Sequence, residues 1–293
     1  MRIGLTGATG FVGKHILRLA AQRGHEVVAF TRTPQRDVSG AAETRRFALD
    51  APPDLSGCEA VIHLAGEPIL GLWTGAKKRR IVESRVRGTR RIVEAIAAMS
   101  EKPEVLVNAS AIGYYGESGD AELTERTPAG TGFLAATVQS WEDEARAAKA
   151  ERVVLLRTGI VLGKTGGALA KMTPAFRFGL GTTFGDGRQW VSWIHVEDLA
   201  RLALFAVEDM DVRGPLNATA PWPVRHGDFV KTLARVLHRP ALLRIPAFAL
   251  RAALRGLAAE LLDSKRVIPD AAIGHGFQFR FPELEPALRD QLG

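Results

Sequence analysis

Three glycines near the start of the chain carry the first chemical signal: Gly7, Gly10 and Gly13, in the run Gly7-Ala8-Thr9-Gly10-Phe11-Val12-Gly13. Their G-x-x-G-x-x-G spacing falls between a strand-like run, residues 3–6, and a stretch in which Val12, Ile16, Leu17 and Ala20 recur at helical intervals. Each glycine then has its own task. Gly7 permits a tight turn, Gly10 lets the backbone approach a pyrophosphate, and Gly13 lets helix and strand pack closely. The helix start, from Thr9 through Phe11 and Val12, offers unpaired N–H groups and the positive end of its dipole to an anion. A glycine triplet alone says little; between a strand and a helix it specifies a dinucleotide-phosphate cradle.

Cofactor choice is written at the end of the second strand, about 20 residues on, where a carboxylate would hold a ribose 2′-hydroxyl. Phe30-Thr31-Arg32 stands there instead. Thr31 can hydrogen-bond a 2′-phosphate and Arg32 can pair with it, whereas an acid would repel it. The expected cofactor is therefore NADP(H) rather than NAD(H).

The elements that position these residues alternate. Residues 27–30, 45–49, 60–64, 105–108 and 153–156 read as further strands, and residues 10–23, 81–99 and 133–150 as helices. Val27-Val28-Ala29-Phe30 is apolar throughout, as in a strand buried on both faces of a parallel sheet. Strand–helix–strand repetition implies right-handed crossovers and an α/β fold, a Rossmann-type doubly wound parallel sheet. From Gly163 the character changes: glycines, prolines and aromatics crowd residues 166–193, while 196–207 and 229–237 look helical. The expected organisation is a dinucleotide-binding domain over residues 1–165, with returns near 193–220, and a smaller, interleaved substrate lobe over 166–293.

The bulk properties narrow the class. A chain of 293 residues with 46% hydrophobic and 24% charged residues is ordinary for a soluble globular protein. No apolar run reaches the ~18 residues needed to span a bilayer, and the N-terminal residues lack the regions of a signal peptide. The single cysteine, Cys58, allows no intramolecular disulfide and sits in no metal-ligand spacing. A cytoplasmic, reducing setting without a membrane partner is the expectation. The net charge of +7 favours anionic partners. No nucleic-acid-binding motif accompanies it, so the expected partners are NADPH and a small-molecule substrate.

Several stretches together resemble the extended, or atypical, short-chain dehydrogenase/reductases. They are residues 7–13, His63-Leu64-Ala65-Gly66, Ser110-Ala111-Ile112-Gly113-Tyr114-Tyr115-Gly116, Leu123-Thr124-Glu125 and Trp193-Ile194-His195-Val196-Glu197-Asp198. More closely, Gly66-Glu67-Pro68-Ile69, Ser84-Arg85, Arg157-Thr158-Gly159-Ile160-Val161-Leu162-Gly163 and Ser192-Trp193-Ile194-His195 resemble one branch of the NAD-dependent epimerase/dehydratase superfamily. That branch is the "epimerase family" of NADP-binding proteins. The resemblance continues to Gly276-Phe277 and Phe281-Pro282-Glu283-Leu284. It implies an NADP site formed by residues 7–13, Thr31, Arg32, Leu64, Ala65 and Arg85, the last following the basic run Lys77-Lys78-Arg79-Arg80 on a helix. Relatives often dimerise through helices corresponding to 81–99 and 133–150, which leaves a monomer or a homodimer.

The chain also departs from the wider superfamily, whose active members carry Tyr-x-x-x-Lys on the helix after the fifth strand. There the lysine lowers the tyrosine pKa so that the phenol can pass a proton. Aligning Glu142 with the usual glutamate of that helix puts Leu134 and Val138 at the two positions. Ser110 takes the place of the family's substrate-facing serine, and Tyr114 and Tyr115 follow it closely enough to reach a pocket. His195 and Asp198 read as holding a strand and a helix together. Where sugar-nucleotide enzymes carry an arginine on the substrate diphosphate, this chain has Val191, flanked by Trp190 and Trp193. Trp193 reads as packing; Trp190 suits either packing or roofing a substrate. The expected activity is that of an NADP(H)-binding oxidoreductase or epimerase-like protein acting on a small carbonyl or hydroxyl compound. The alternative is a non-catalytic NADPH-binding redox sensor or regulatory protein.

Overall fold

The computed structural model describes residues 1–33, 38–71, 73–254 and 256–293. Its centre is a seven-stranded parallel sheet made of β1 (Arg2–Thr6), β2 (Glu26–Thr31), β3 (Glu43–Arg46), β4 (Ala60–His63), β5 (Val105–Ala111), β6 (Arg152–Thr158) and β7 (Gly214–Ala218). Across the sheet the order is β7-β6-β5-β4-β1-β2-β3, so the direction of winding reverses between β1 and β4. Every pairing within this sheet is parallel.

Alternation along the strands explains the layers. Val27 and Ala29 join the core on one face, with α1 (Phe11–Gln22) and α5 (Val196–Glu208). Val28 and Phe30 join the core on the other, with α2 (Gly75–Ala98). The helix α3 (Phe133–Arg146) buries Ala135, Val138, Trp141 and Ala145. Successive side chains of a strand point to opposite faces, so an unbroken apolar run is what a sheet covered on both sides requires.

Several element boundaries differ from the sequence expectation. The strand expected over 45–49 lies two residues earlier, because Thr31 pairs with Arg46 and Phe47 then leaves the sheet to enter the core. The helix expected from residue 81 begins at Gly75. Thr74 caps it, its Oγ1 accepting the Lys77 N–H at 3.2 Å, so the basic run forms the helix start. The helix expected to reach residue 150 ends at Arg146.

The remaining chain builds a smaller lobe. Its core joins Leu169 and Phe176 of α4 (Gly167–Arg177), Phe229 and Leu233 of α6 (His226–Val236), and Leu288 of α10 (Leu284–Leu292) around Trp193. Two further helices, α7 (Ala247–Leu254) and α8 (Gly256–Leu262), lead to α9 (Asp270–Gly274). The lobe is stitched to the sheet by α5. There the buried Asp198 carboxylate accepts the backbone N–H groups of Arg280 and Phe281 at 2.8 Å each and pairs with Arg201 at 2.8 Å. His195 caps the same helix through Nδ1, which accepts the Glu197 N–H at 3.2 Å. Both residues hold structure, as expected. Among the described residues no helix is long and apolar enough to cross a membrane.

Candidate functional site

The turn after β1 lies at the point where the strand order reverses, the place at which open α/β sheets bind ligands. Gly7 there has φ +74°, and a Cβ on it would stand 3.2 Å from the Leu64 carbonyl carbon. A Cβ on Gly13 would lie 2.1 Å from the Gly7 oxygen, so helix and turn touch backbone to backbone. Gly10 is the N-cap of α1. It supplies no capping side chain and the first turn holds no acid, which leaves the helix amides to an anion.

Thr6 fixes the opposite wall. Its Oγ1 accepts the N–H groups of Leu64 at 3.0 Å and Ala65 at 3.1 Å, and lies 2.7 Å from His63 Nδ1. With both acceptor positions used, the hydroxyl proton goes to Nδ1, and the ring proton sits on Nε2. Burial holds the His63 pKa down to about 3, so the ring is neutral and the wall carries no charge of its own. Sequence reasoning missed His63, since a buried histidine at a strand end has no local signature.

Phe11 ties the cradle to the small lobe. Its ring fills a slot in the turn before α4, where a Cβ on Gly163 or Gly166 would come within 2.3 or 2.4 Å of it. Val12 is half-buried against the main core and Thr9 is exposed. Thr9 and Thr31 line a cavity of about 840 Å³ with Lys14, Thr33 and Ser39. Thr31 ends β2, its Oγ1 accepting the Thr33 N–H at 3.2 Å, and Arg32 follows on the surface.

Arg85 braces the turn after β4 from α2. Its Nη1 donates to the Glu67 carbonyl at 3.0 Å and the Ile81 carbonyl at 3.2 Å, and the guanidinium lies 5.1 Å from the Trp141 ring centre. Burial lowers its pKa to about 10, which leaves it a cation at neutral pH. Of the basic run, Lys77 is paired with the Glu67 carboxylate at 2.7 Å.

At the ends of β5 and β6 a buried polar network appears. Arg157 donates through Nε and Nη2 to the two oxygens of Glu142 at 2.8 Å each. Ser110 donates to Glu142 Oε1 at 2.6 Å. Arg157 Nη1 also donates to Tyr115 Oη at 3.0 Å, and that hydroxyl donates to Asn217 Oδ1 at 2.7 Å. Burial pushes the Tyr115 phenol up to about 12. Ser110 and Tyr115 are thus turned into the protein, with both hydroxyls engaged. Tyr114 differs: it is half-buried, its ring lies under the Arg157 guanidinium at 3.5 Å, and among the described residues its hydroxyl makes no hydrogen bond. Of this network, Glu142 stood out from its place in the helix; the pairing of Arg157 with Glu142 and of Asn217 with Tyr115 did not.

The positions of the superfamily's proton-transfer pair are apolar in space as well. Leu134 belongs to a cluster with Trp73, Ile81 and Leu257, and a Cβ on Gly113 would stand 3.3 Å from it. Val138 is 3% exposed. In the small lobe Val191 and Trp193 are buried, while Trp190 is covered by Arg225 at 4.0 Å and bonded to Asp120 at 3.1 Å.

A glycine cradle at the switch point of a parallel, doubly wound sheet defines a Rossmann-type dinucleotide-binding protein. Residues 3–218 match the NAD dependent epimerase/dehydratase family, and residues 245–291 match a domain of unknown function (DUF1731). The chain belongs to the NAD dependent epimerase/dehydratase family. It is 39% identical to the epimerase family protein YfhF of Bacillus subtilis over 98% of this chain and 97% of that protein. Identity to the chloroplastic SDR39U1 homolog of Arabidopsis thaliana is 38%, over 99% of this chain and 86% of that protein. The human epimerase family protein SDR39U1, crystallised with NADPH, superposes with a TM-score of 0.92 at 34% identity, covering 100% of this chain and 99% of that one.

Proposed function

We propose that the protein holds NADPH in the glycine cradle and acts as an NADP(H)-dependent oxidoreductase or epimerase-like enzyme on a small carbonyl or hydroxyl compound. The observation that carries this reading is the cradle beside Thr31 and Arg32, which has no carboxylate where one would repel a 2′-phosphate. The likeness to a relative crystallised with NADPH supports it. The amides of Phe11, Val12 and Gly13 would receive the pyrophosphate, Thr31 and Arg32 the 2′-phosphate. The backbone at Leu64 and Ala65 forms the wall, with Arg85 bracing its turn. When bound, NADPH supplies a hydride.

Tyr114 is the group in this site that can hold the substrate oxygen, because its hydroxyl alone of the three candidates is unengaged among the described residues. Ser110 and Tyr115 support it by fixing Glu142 and the Arg157 guanidinium that lies over the Tyr114 ring. The buried Cys58 fits a reducing, cytoplasmic setting. Leu134 and Val138 favour the second reading, a non-catalytic NADPH-binding sensor, since neither can move a proton.

Titration of the apo-protein with NADPH and NADH, then with a panel of aldehydes, ketones and α-dicarbonyls, tests both. Preferential NADPH binding with carbonyl-dependent oxidation supports the enzyme. Binding without turnover across the panel supports the sensor. No binding of either nucleotide overturns both.

A further inference from the structure

The carbonyl chemistry proposed above needs a proton as well as a hydride, and the position that gives one in the wider superfamily holds Leu134. The segment lying over that position comes from the C-terminal lobe. Leu257 of α8 packs in the same apolar cluster as Leu134 and Trp73. One residue earlier, a Cβ on Gly256 would lie 3.2 Å from the Trp73 ring and 3.7 Å from Lys78 Nζ. A helix turns 100° per residue, so Glu260 projects between the directions of Gly256 and Leu257, toward the protein. Just beyond α8, Ser264 is fastened to the loop that follows Tyr114. Its backbone oxygen accepts the Ser118 N–H at 3.1 Å, its N–H donates to Glu117 at 2.6 Å, and its hydroxyl donates to the Gly119 carbonyl. Glu260 therefore lies on a span anchored at one end over Leu134 and at the other beside the Tyr114 loop.

The charges on this span are gathered rather than solvated. Lys265 is 5% exposed, and its Nζ lies 3.3 Å from Glu260 Oε2 and 3.2 Å from Asp263 Oδ2. Among the described residues Lys78 also lies at this face, over the Phe133 ring at 4.9 Å. Burial pushes the Glu260 carboxyl above its ordinary value, against the opposing pull of the Lys265 ammonium.

We propose that Glu260, positioned by Lys265, is the proton-transfer group of this site and stands in for the missing Tyr-x-x-x-Lys pair. In the reducing direction the substrate carbonyl carbon receives the hydride of NADPH, and its oxygen takes the proton of the Glu260 carboxyl. The products are an alcohol, NADP+ and a Glu260 carboxylate. The Lys265 ammonium holds that carboxylate until water returns the proton, and the oxidising direction runs the same transfers backwards. Lys265 acts only through Glu260. The inference rests on the enzyme reading, and its test has a readout that does not require a substrate.

A carboxylate beside the nicotinamide favours the cationic, oxidised ring over the neutral, reduced one by Coulomb attraction. Titrating NADP+ and NADPH separately into wild type, Glu260→Gln and Glu260→Ala should show both variants losing about fivefold in affinity for NADP+ relative to NADPH. Thermal melts of each variant establish that it is folded. With a carbonyl that the wild type reduces, Glu260→Gln should lower kcat by about 100-fold or more while KM changes little. An unchanged NADP+/NADPH affinity ratio in folded variants overturns the proposal. A wild type that reduces no carbonyl defeats the enzyme reading instead, and the affinity ratio still decides whether Glu260 stands beside the nicotinamide.

Discussion

Glu142 and Arg157 form a two-bond pair buried between α3 and the end of β6, both side chains at most 2% exposed, with Ser110 and Tyr115 hydrogen-bonded to it. Arg146 reaches the same carboxylate from the surface at 2.8 Å. The pair consumes the polar groups of Ser110 and Tyr115, while Tyr114 lies half-buried beneath the guanidinium with its hydroxyl unpaired among the described residues. Removing one partner strands the other charge in the interior. Glu142→Ala should cost about 3–5 kcal/mol of unfolding free energy in urea titrations. A loss under about 1 kcal/mol would show the pair to be hydrated in solution.

The two adjacent tyrosines should respond oppositely to loss of a hydroxyl. Tyr115→Phe removes the partner of Asn217 and of Arg157 Nη1, and should destabilise by about 1–3 kcal/mol. Tyr114→Phe should leave the melting temperature near that of wild type and lower carbonyl-dependent NADPH oxidation. Full retention of rate by Tyr114→Phe removes its role in holding the substrate oxygen.

Gly13→Ala places a methyl group 2.1 Å from the Gly7 oxygen, and neither backbone segment can yield without moving the cradle. The expected result is a loss of about 1–3 kcal/mol in stability. NADPH affinity should also fall at least about tenfold, because the amides lose their aim. Chemical denaturation and nucleotide titration measure the two effects separately.

Charge reversal at the end of β2 tests recognition of the 2′-phosphate. Arg32→Asp should weaken NADPH by about tenfold to a hundredfold and leave NADH within a few-fold, since only the former carries the extra phosphate. Equal losses for both nucleotides contradict the assignment.

Acid should destabilise the fold through its buried histidines. His63, held down to about 3, and His226, held down to about 4, stay neutral in the native state because burial disfavours the cation. Unfolded histidine takes its proton near pH 6.5. The unfolded state thus binds more protons as pH falls below about 6.5, and stability falls with it until each native group titrates in turn. For each group the slope approaches about 1.4 kcal/mol per pH unit between those limits. His63→Gln should flatten the decline of melting temperature between pH 6 and 4 on the scale of those pKa values; an unchanged slope would exclude His63 as a source.

How much of this was legible beforehand follows from how local each feature is. The glycine turn was legible because strand, turn and helix start are contiguous and Gly13 meets the nearby Gly7 oxygen, whereas the wall against Gly7 comes from Leu64 and Ala65 on a distant strand end. The doubly wound sheet was legible for a related reason: a strand covered on both faces must be apolar along its whole length, as Val27 to Phe30 are. Boundaries were less secure. The start of α2 depended on Thr74 outweighing a basic run that reads as solvated surface, and the position of β3 depended on pairing with β2.

The sequence by itself determined the fold class, the cradle and the absence of the Tyr-x-x-x-Lys pair, because periodicity, chain stiffness and residue identity act over short stretches of chain. Only the tertiary structure decided which of the Ser110, Tyr114 and Tyr115 hydroxyls are engaged, that Glu142 finds Arg157 and Tyr115 finds Asn217, and that Leu257 packs against Leu134. Those outcomes join residues that are distant in sequence. A buried charge or hydroxyl must find a partner wherever packing brings one, and no local pattern records which partner that will be.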